Sequence, residues 1–264
     1  MKRSEGLYWL RLSMGVVLLY ACFSGWALMA TDSMIFFPDY ASRAEPEGAV
    51  HLSLDDGSRL SAVFLANPKA RFTIWHFHGN AEALADIMPR LEELREFGFN
   101  VFALEYPGYG TSPGRPTEAR IYASLDVGLR YLQDERKITP AQLIVHGRSL
   151  GGGPAVEVAR RKKVAGLILE STFTSAYRVV TRWPLLPGDK FKNLKKLSAV
   201  SSPVLVIHGR RDRTIPFHHG ESLYSAARAK VKQHLWVDHA GHNDLRRWAG
   251  DSYRSAIVEF ANKL

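Results

Sequence analysis

Short apolar runs alternate with amphipathic stretches through most of this chain. Val50–Leu54 and Leu60–Leu65 flank Asp55-Asp56-Gly57-Ser58, a pattern that predicts a β-hairpin. Phe72–Phe77, Val101–Leu104, Leu143–Val145, Val164–Leu169, Val204–Ile207 and His234–Val237 predict further strands. Residues 81–97 place Leu84, Ile87, Met88, Leu91 and Leu94 on one helical stripe, with Gly98 as its C-cap. Residues 117–133 read as a helix that Thr117 can cap, and 244–262 as a terminal helix. Strands separated by helices of this length predict an α/β fold, with a mostly parallel central sheet covered on both faces. In such a sheet, function collects at the carboxyl ends of the strands.

The N-terminal stretch has a different pattern. Leu12–Ala30 carries no charge and is near the minimum length of a membrane-spanning helix. Lys2, Arg3 and Arg11 precede it, while Asp32, Asp39, Glu45 and Glu47 follow. That asymmetry predicts a cytoplasmic N-terminus and a following domain on the outer, periplasmic or lumenal, side. Residues 1–33 are therefore expected as anchor or signal segment, and 34–264 as one globular domain. Two processed forms fit the same stretch: signal cleavage near Ala30, with a large Leu28 at the −3 position, and lipidation of Cys22 in Leu19-Tyr20-Ala21-Cys22. Cys22 is the single cysteine, so no intramolecular disulfide can form.

Composition narrows the partners. Lysine and arginine total 35 against 26 acidic residues, a formal charge of +9. The basic residues are scattered, as in Arg160-Arg161-Lys162-Lys163 and Arg246-Arg247, without interleaved aromatics. This is a solvated surface compatible with anionic lipid, and nucleic acid is not expected as a partner.

The chemistry begins where the fifth apolar run ends, at Gly147-Arg148-Ser149-Leu150-Gly151. A serine at a strand-to-helix turn needs small residues two before and two after it, so that strand and helix can approach. Ala155, Val156, Val158 and Ala159 then begin a helix whose amide end points back at Ser149. A second copy of the pattern, Gly110-Thr111-Ser112-Pro113-Gly114, lies in a Pro/Gly loop with no strand leading directly into it. Its Pro113 also lacks the N–H that an oxyanion hole takes from the residue after the nucleophile. Ser149 is the expected nucleophile.

Serine needs a base, and the base an orienting acid. Of ten histidines, His242 lies in His239-Ala240-Gly241-His242-Asn243, after the last strand, where the Ala-Gly pair favours a tight turn. His239 is its nearest rival. His218 and His219 read as an exposed helix start, and His146 and His208, each at a strand end beside a glycine, as packing groups or as supports for the catalytic residues. Asp212 follows the Val204–Ile207 strand and falls between Ser149 and His242 in the chain, the order Ser…Asp…His of an α/β-hydrolase triad. The oxyanion donors are expected to be the backbone N–H of Leu150 and that of Asn80, just past the Phe72–Phe77 strand.

With His78-Gly79-Asn80 and the run from Tyr106 through Pro116 added, the chain resembles the α/β-hydrolase superfamily from about residue 34 to the end. Within it, the chain is similar to small membrane-anchored serine hydrolases related to acyl-protein thioesterases. The resemblance implies a triad of Ser149, Asp212 and His242, hydrolysis of a carboxylic ester or thioester through an acyl-enzyme, and no metal or organic cofactor. The depalmitoylating members carry an N-terminal cysteine cluster, whereas this chain has Cys22 alone, which argues against a palmitoylated protein as substrate. A serine peptidase or amidase on the same triad, and a non-catalytic binding protein, are the alternative readings.

About 34 residues separate the Val164–Leu169 and Val204–Ile207 runs, room for a small cap at most. Phe173, Tyr177, Trp183 and Leu185 in that stretch are expected either to line an acyl slot or to pack in the core.

Overall fold

The computed structural model describes residues 2–181 and 187–264. Eight strands form one sheet: β1 (Val50–Ser53), β2 (Arg59–Leu65), β3 (Thr73–Phe77), β4 (Asn100–Leu104), β5 (Leu143–Arg148), β6 (Gly166–Glu170), β7 (Val204–Gly209) and β8 (Lys232–Val237). Their order is β1-β2-β4-β3-β5-β6-β7-β8, antiparallel at β1–β2 and β2–β4 and parallel from β4 to β8. The hairpin pairs Ser53 with Arg59 across Asp55–Ser58, as the turn residues require.

Continuous apolar runs arise because the central strands are buried on both faces, with alternate side chains entering different cores. Trp75, Phe77, Val145, Leu167 and Val206 join one core; Ile74, Ile144, Ile168 and Leu205 join the other. Helices α2 (Leu84–Glu96), α7 (Leu245–Ala249) and α8 (Asp251–Asn262) cover the second face through Leu84, Leu91, Leu245 and Phe260. Helices α3 (Glu118–Arg130), α4 (Gly152–Arg161), α5 (Asn193–Leu197) and α6 (His218–Ala226) cover the first through Leu125, Val156, Leu197 and Leu223. Thr117 caps α3 by accepting the Arg120 N–H at 3.1 Å. The expected single helix over 244–262 is two, because Gly250 at φ 52° ends α7 and turns the chain into α8.

The N-terminal helix, α1 (Lys2–Ile35), is longer than the uncharged run and crosses the expected 33/34 boundary without a break. Its C-terminal end rests on the domain. Ala27, Thr31 and Phe36 are buried, Thr31 meets the Tyr177 hydroxyl, and Lys190 pairs with Asp32 at 3.6 Å.

His219 corrects the expectation of an exposed helix start: His218 is exposed, but His219 is buried, with Nδ1 3.0 Å from Thr174 Oγ1. Burial first, and then the nearby His218 and His208, pull its pKa down to about 4. The unfolded chain takes up this proton near pH 6.5, whereas the folded chain resists until about pH 4. The contribution is therefore intact above 6.5 and drains away as pH falls toward 4. Denaturant titrations across that window should show His219→Gln with a shallower loss of stability than the parent, by at most about 1.4 kcal/mol per pH unit. Parallel slopes would refute it.

Candidate active site

At the end of β5 the chain turns through Ser149 at φ 52°, a left-handed conformation costing an ordinary residue about 1–2 kcal/mol. The flanking glycines make the turn possible. A Cβ on Gly147 would overlap the Gly151 carbonyl, and one on Gly151 would overlap that of Phe77. Thr172, just past β6, donates its hydroxyl to the Ser149 carbonyl at 2.6 Å and holds the elbow from the neighbouring strand. Ser149–Gly151 forms a tight turn leading into α4. The N–H groups of a helical first turn have no partner within it, and that of Leu150 is the one next to Ser149.

His242 sits in the turn after β8, which the Gly241 N–H closes onto Asp244 Oδ1 at 2.6 Å. Its Nε2 is 3.1 Å from Ser149 Oγ, and its Nδ1 is 2.7 Å from Asp212 Oδ2. The Asp212 side chain is fully buried, and its other oxygen accepts the N–H groups of Thr214 and Ile215 at 2.9 and 2.7 Å. That fixes the carboxylate, leaving Oδ2 to face the imidazole. Ser149, His242 and Asp212 are thus one hydrogen-bonded chain drawn from β5, β8 and β7. His239 is exposed against Trp248, away from it. His208 lies 3.6 Å from Asp212 Oδ2 but bonds the Ile215 carbonyl at 2.9 Å. Burial lowers its pKa, so it adds no competing cation beside the carboxylate.

Asn80 lies where β3 gives way to the loop before α2, so its backbone occupies the strand end nearest the elbow. Its side chain has a role the sequence does not reveal. Nδ2 donates to the Ile35 carbonyl at 2.6 Å, while Oδ1 accepts from the Phe37 N–H at 3.0 Å and the Tyr109 hydroxyl at 2.5 Å. The amide therefore clasps the chain where it leaves α1. Ser112, from the second Gly-x-Ser-x-Gly, is buried in its loop and accepts the Ser61 N–H at 3.0 Å, a structural bond.

The expected acyl-slot residues separate. Phe173 is buried in the core near Phe191, whereas Tyr177 lines an apolar recess of about 200 Å³ between α1 and residues 176–181. Trp183 and Leu185 lie outside the described residues. Trp26, Ala27, Met34, Ile35 and Val180 complete most of that lining. None of the triad lines it; the link to the site is Ile35, on its wall, whose carbonyl accepts from Asn80 Nδ2. A larger open depression, of about 580 Å³, lies along β8 and α8 and includes none of the triad. Among the described residues no histidine, cysteine and carboxylate group is arranged to hold a metal.

Sequence reasoning passed over Thr172, Arg148 and Glu82. Each acts through a contact made only when distant segments meet, so no local pattern marks it.

Comparison with known proteins agrees with this architecture. Residues 68–193 match the family model described as Serine aminopeptidase, S33. Alpha/beta hydrolase domain-containing protein 17B of Homo sapiens is 35% identical over 211 residues, covering 78% of this chain and 72% of that protein. Its counterpart in Xenopus tropicalis is 37% identical over the same length and shares of each chain. Among solved structures, an esterase of Pyrococcus furiosus superposes with a TM-score of 0.67 at 19% identity, covering 81% of this chain and 91% of that one. A monoacylglycerol lipase of Paleococcus ferrophilus gives 0.61 at 19% identity, over 77% and 98%.

Proposed function

Because the chain belongs to the α/β-hydrolase superfamily, alongside alpha/beta hydrolase domain-containing protein 17B, we propose that it is a serine hydrolase that cleaves a lipid-like carboxylic ester or thioester. The observation that carries this reading is the unbroken chain from Ser149 Oγ through His242 to Asp212 Oδ2.

On this reading Ser149 Oγ attacks the acyl carbonyl while His242 Nε2 takes its proton. Asp212 holds the imidazole with Nδ1–H toward Oδ2 and stabilises the imidazolium that forms. The carbonyl oxygen, now an oxyanion, receives the N–H groups of Leu150 and Asn80, each worth on the order of 3 kcal/mol in the transition state. Collapse breaks the bond to the leaving oxygen or sulfur, which takes the proton from His242. Water then repeats the sequence on the acyl-enzyme, with His242 as base, releasing the carboxylic acid and restoring Ser149. No step calls on a cofactor.

The recess beside Tyr177 supports an acyl chain as the group bound. It is almost wholly apolar, and one wall is α1 itself. The charge asymmetry around Leu12–Ala30 supports α1 as an uncleaved anchor, with the hydrolase domain on the outer side of the membrane. Burial of Ala27 and Thr31 against the domain supports retention over cleavage near Ala30, since cleavage would strip part of that contact.

A series of p-nitrophenyl esters from acetate to palmitate, assayed with the full chain in detergent micelles, tests the reading. Turnover is expected, and best on chains long enough to fill the recess. Absence of turnover at every length would sink it. Aminoacyl p-nitroanilides run in parallel separate ester from amide cleavage, and preferred cleavage of these would turn the assignment to a peptidase.

A further inference from the structure

Resting on that hydrolase reading, we propose that Arg148 is a positioning residue whose guanidinium sets the nucleophile elbow, the oxyanion loop and the histidine loop in register. Arg148 immediately precedes Ser149, at the end of β5, and is 6% exposed. Its Nη1 donates to both oxygens of Glu82 at 3.0 Å. Glu82 Oε2 in turn accepts the N–H of Gly79 at 2.9 Å, one residue before the expected oxyanion donor Asn80. On the other side Nη2 donates to the carbonyl of His242 at 3.3 Å and to Asn243 Oδ1 at 2.8 Å. One side chain thus reaches the loop of the expected oxyanion donor and the loop of the base while its own residue adjoins the nucleophile.

The arrangement is built for a guanidinium. Its rigid fork of donors can satisfy two directions at once, whereas an ammonium is a point charge. The loop leaves room for it: a Cβ on Gly79 would strike both Arg148 Nη1 and Glu82 Oε2, so the glycine of His-Gly-Asn is the space the ion pair occupies. Arg90 braces Glu82 from behind at 3.3 Å, and Glu170 lies 3.9 Å from Arg148 Nε. Burial pushes the Glu82 carboxyl up, but the Arg148 and Arg90 charges outweigh it and lower its pKa, keeping it ionised. A buried ion pair of this kind is poor at adding stability beyond what apolar packing would give. Its value here is alignment, since misplacing a catalytic group by about 1 Å can cost on the order of a hundredfold in rate.

Arg148→Met and Arg148→Lys, assayed as full chains on p-nitrophenyl esters, test the assignment, with active sites counted by fluorophosphonate labelling. Per labelled site, kcat of the Met variant should fall about a hundredfold with KM little changed. The Lys variant should regain only part of that. Removing the cation beside the His242 loop should also raise the apparent pKa on the acid limb of the rate profile in the Met variant, and less in the Lys variant. A role confined to folding would lower the number of labelled sites and leave kcat per site and the profile unmoved. That outcome overturns the proposal. A parent that neither labels nor turns over any ester would instead overturn the hydrolase reading, and the role of Arg148 with it.

Discussion

Changing Ser149 to alanine should abolish ester turnover, lowering kcat on the order of 10⁵- to 10⁶-fold, and should eliminate fluorophosphonate labelling. The hydroxyl is the only group at the elbow that can form the acyl-enzyme, and His242 Nε2 already lies 3.1 Å from it. Ser149→Gly sharpens the test, because it separates chemistry from backbone strain. At φ 52° alanine keeps the left-handed penalty, while glycine has none. Glycine gives back part of that gain through the greater freedom of its unfolded chain. The glycine variant should thus be equally inactive but more stable than the alanine variant, by as much as about 1 kcal/mol. Thermal melts and labelling on the same samples read both effects. Labelling that survives in Ser149→Ala would place the nucleophile elsewhere.

Asp212→Asn should cost about 10⁴-fold in kcat while leaving the fold intact. The reason lies in how the carboxylate is satisfied. Oδ1 accepts two backbone N–H groups, from Thr214 and Ile215, so an asparagine oxygen must take that position. Its NH2 then faces His242 Nδ1, which must accept and so loses its proton. The imidazole is left with the proton on Nε2, unable to take one from Ser149. Asp212→Ala should behave differently, because it also strands the buried Ile215 N–H, at about 1–3 kcal/mol for an unsatisfied group. Comparing kcat and denaturation midpoints of the two variants distinguishes tautomer control from structural loss. An asparagine variant within tenfold of the parent would refute the assignment of Asp212 as the orienting acid.

The meeting of Ser149, Asp212 and His242 was legible in sequence because a parallel sheet brings the ends of its strands together. Ser149 follows β5 directly, and Asp212 and His242 lie in the short turns after β7 and β8. Proline at 113 sufficed to set aside Ser112, whose hydroxyl proves to bind the β2 backbone. What local pattern cannot convey is partnership across the chain. Arg148 meets Glu82 and Asn243, 66 and 95 residues away, and looks in sequence like any residue inside Gly-x-Ser-x-Gly. Phe173 and Tyr177 are near neighbours of similar type, yet one is in the core and the other on the recess. His219 carries no mark of burial, because its cover comes from the loop after β6. Periodicity ran through Gly250, since α7 and α8 bury the same face and only the backbone angle separates them.

The seating of α1 on the domain has a consequence for immersion depth. Leu12–Ala30, as a helix, extends about 28 Å, slightly less than a hydrocarbon core of about 30 Å. One face near the end of that length is covered by the hydrolase domain at Ser24 and Ala27, while Trp26, Leu28 and Met29 stay exposed. On the anchored reading proposed above, the domain cannot stand clear of the bilayer. It must sink until its rim, where Phe37, Tyr40 and Val180 are exposed, lies among the headgroups. The recess, lined by the exposed Trp26 and Val180, would then lie at that same rim. A lipid could slide its chain in sideways without first crossing water, and so would avoid about 0.8 kcal/mol for every methylene exposed on the way.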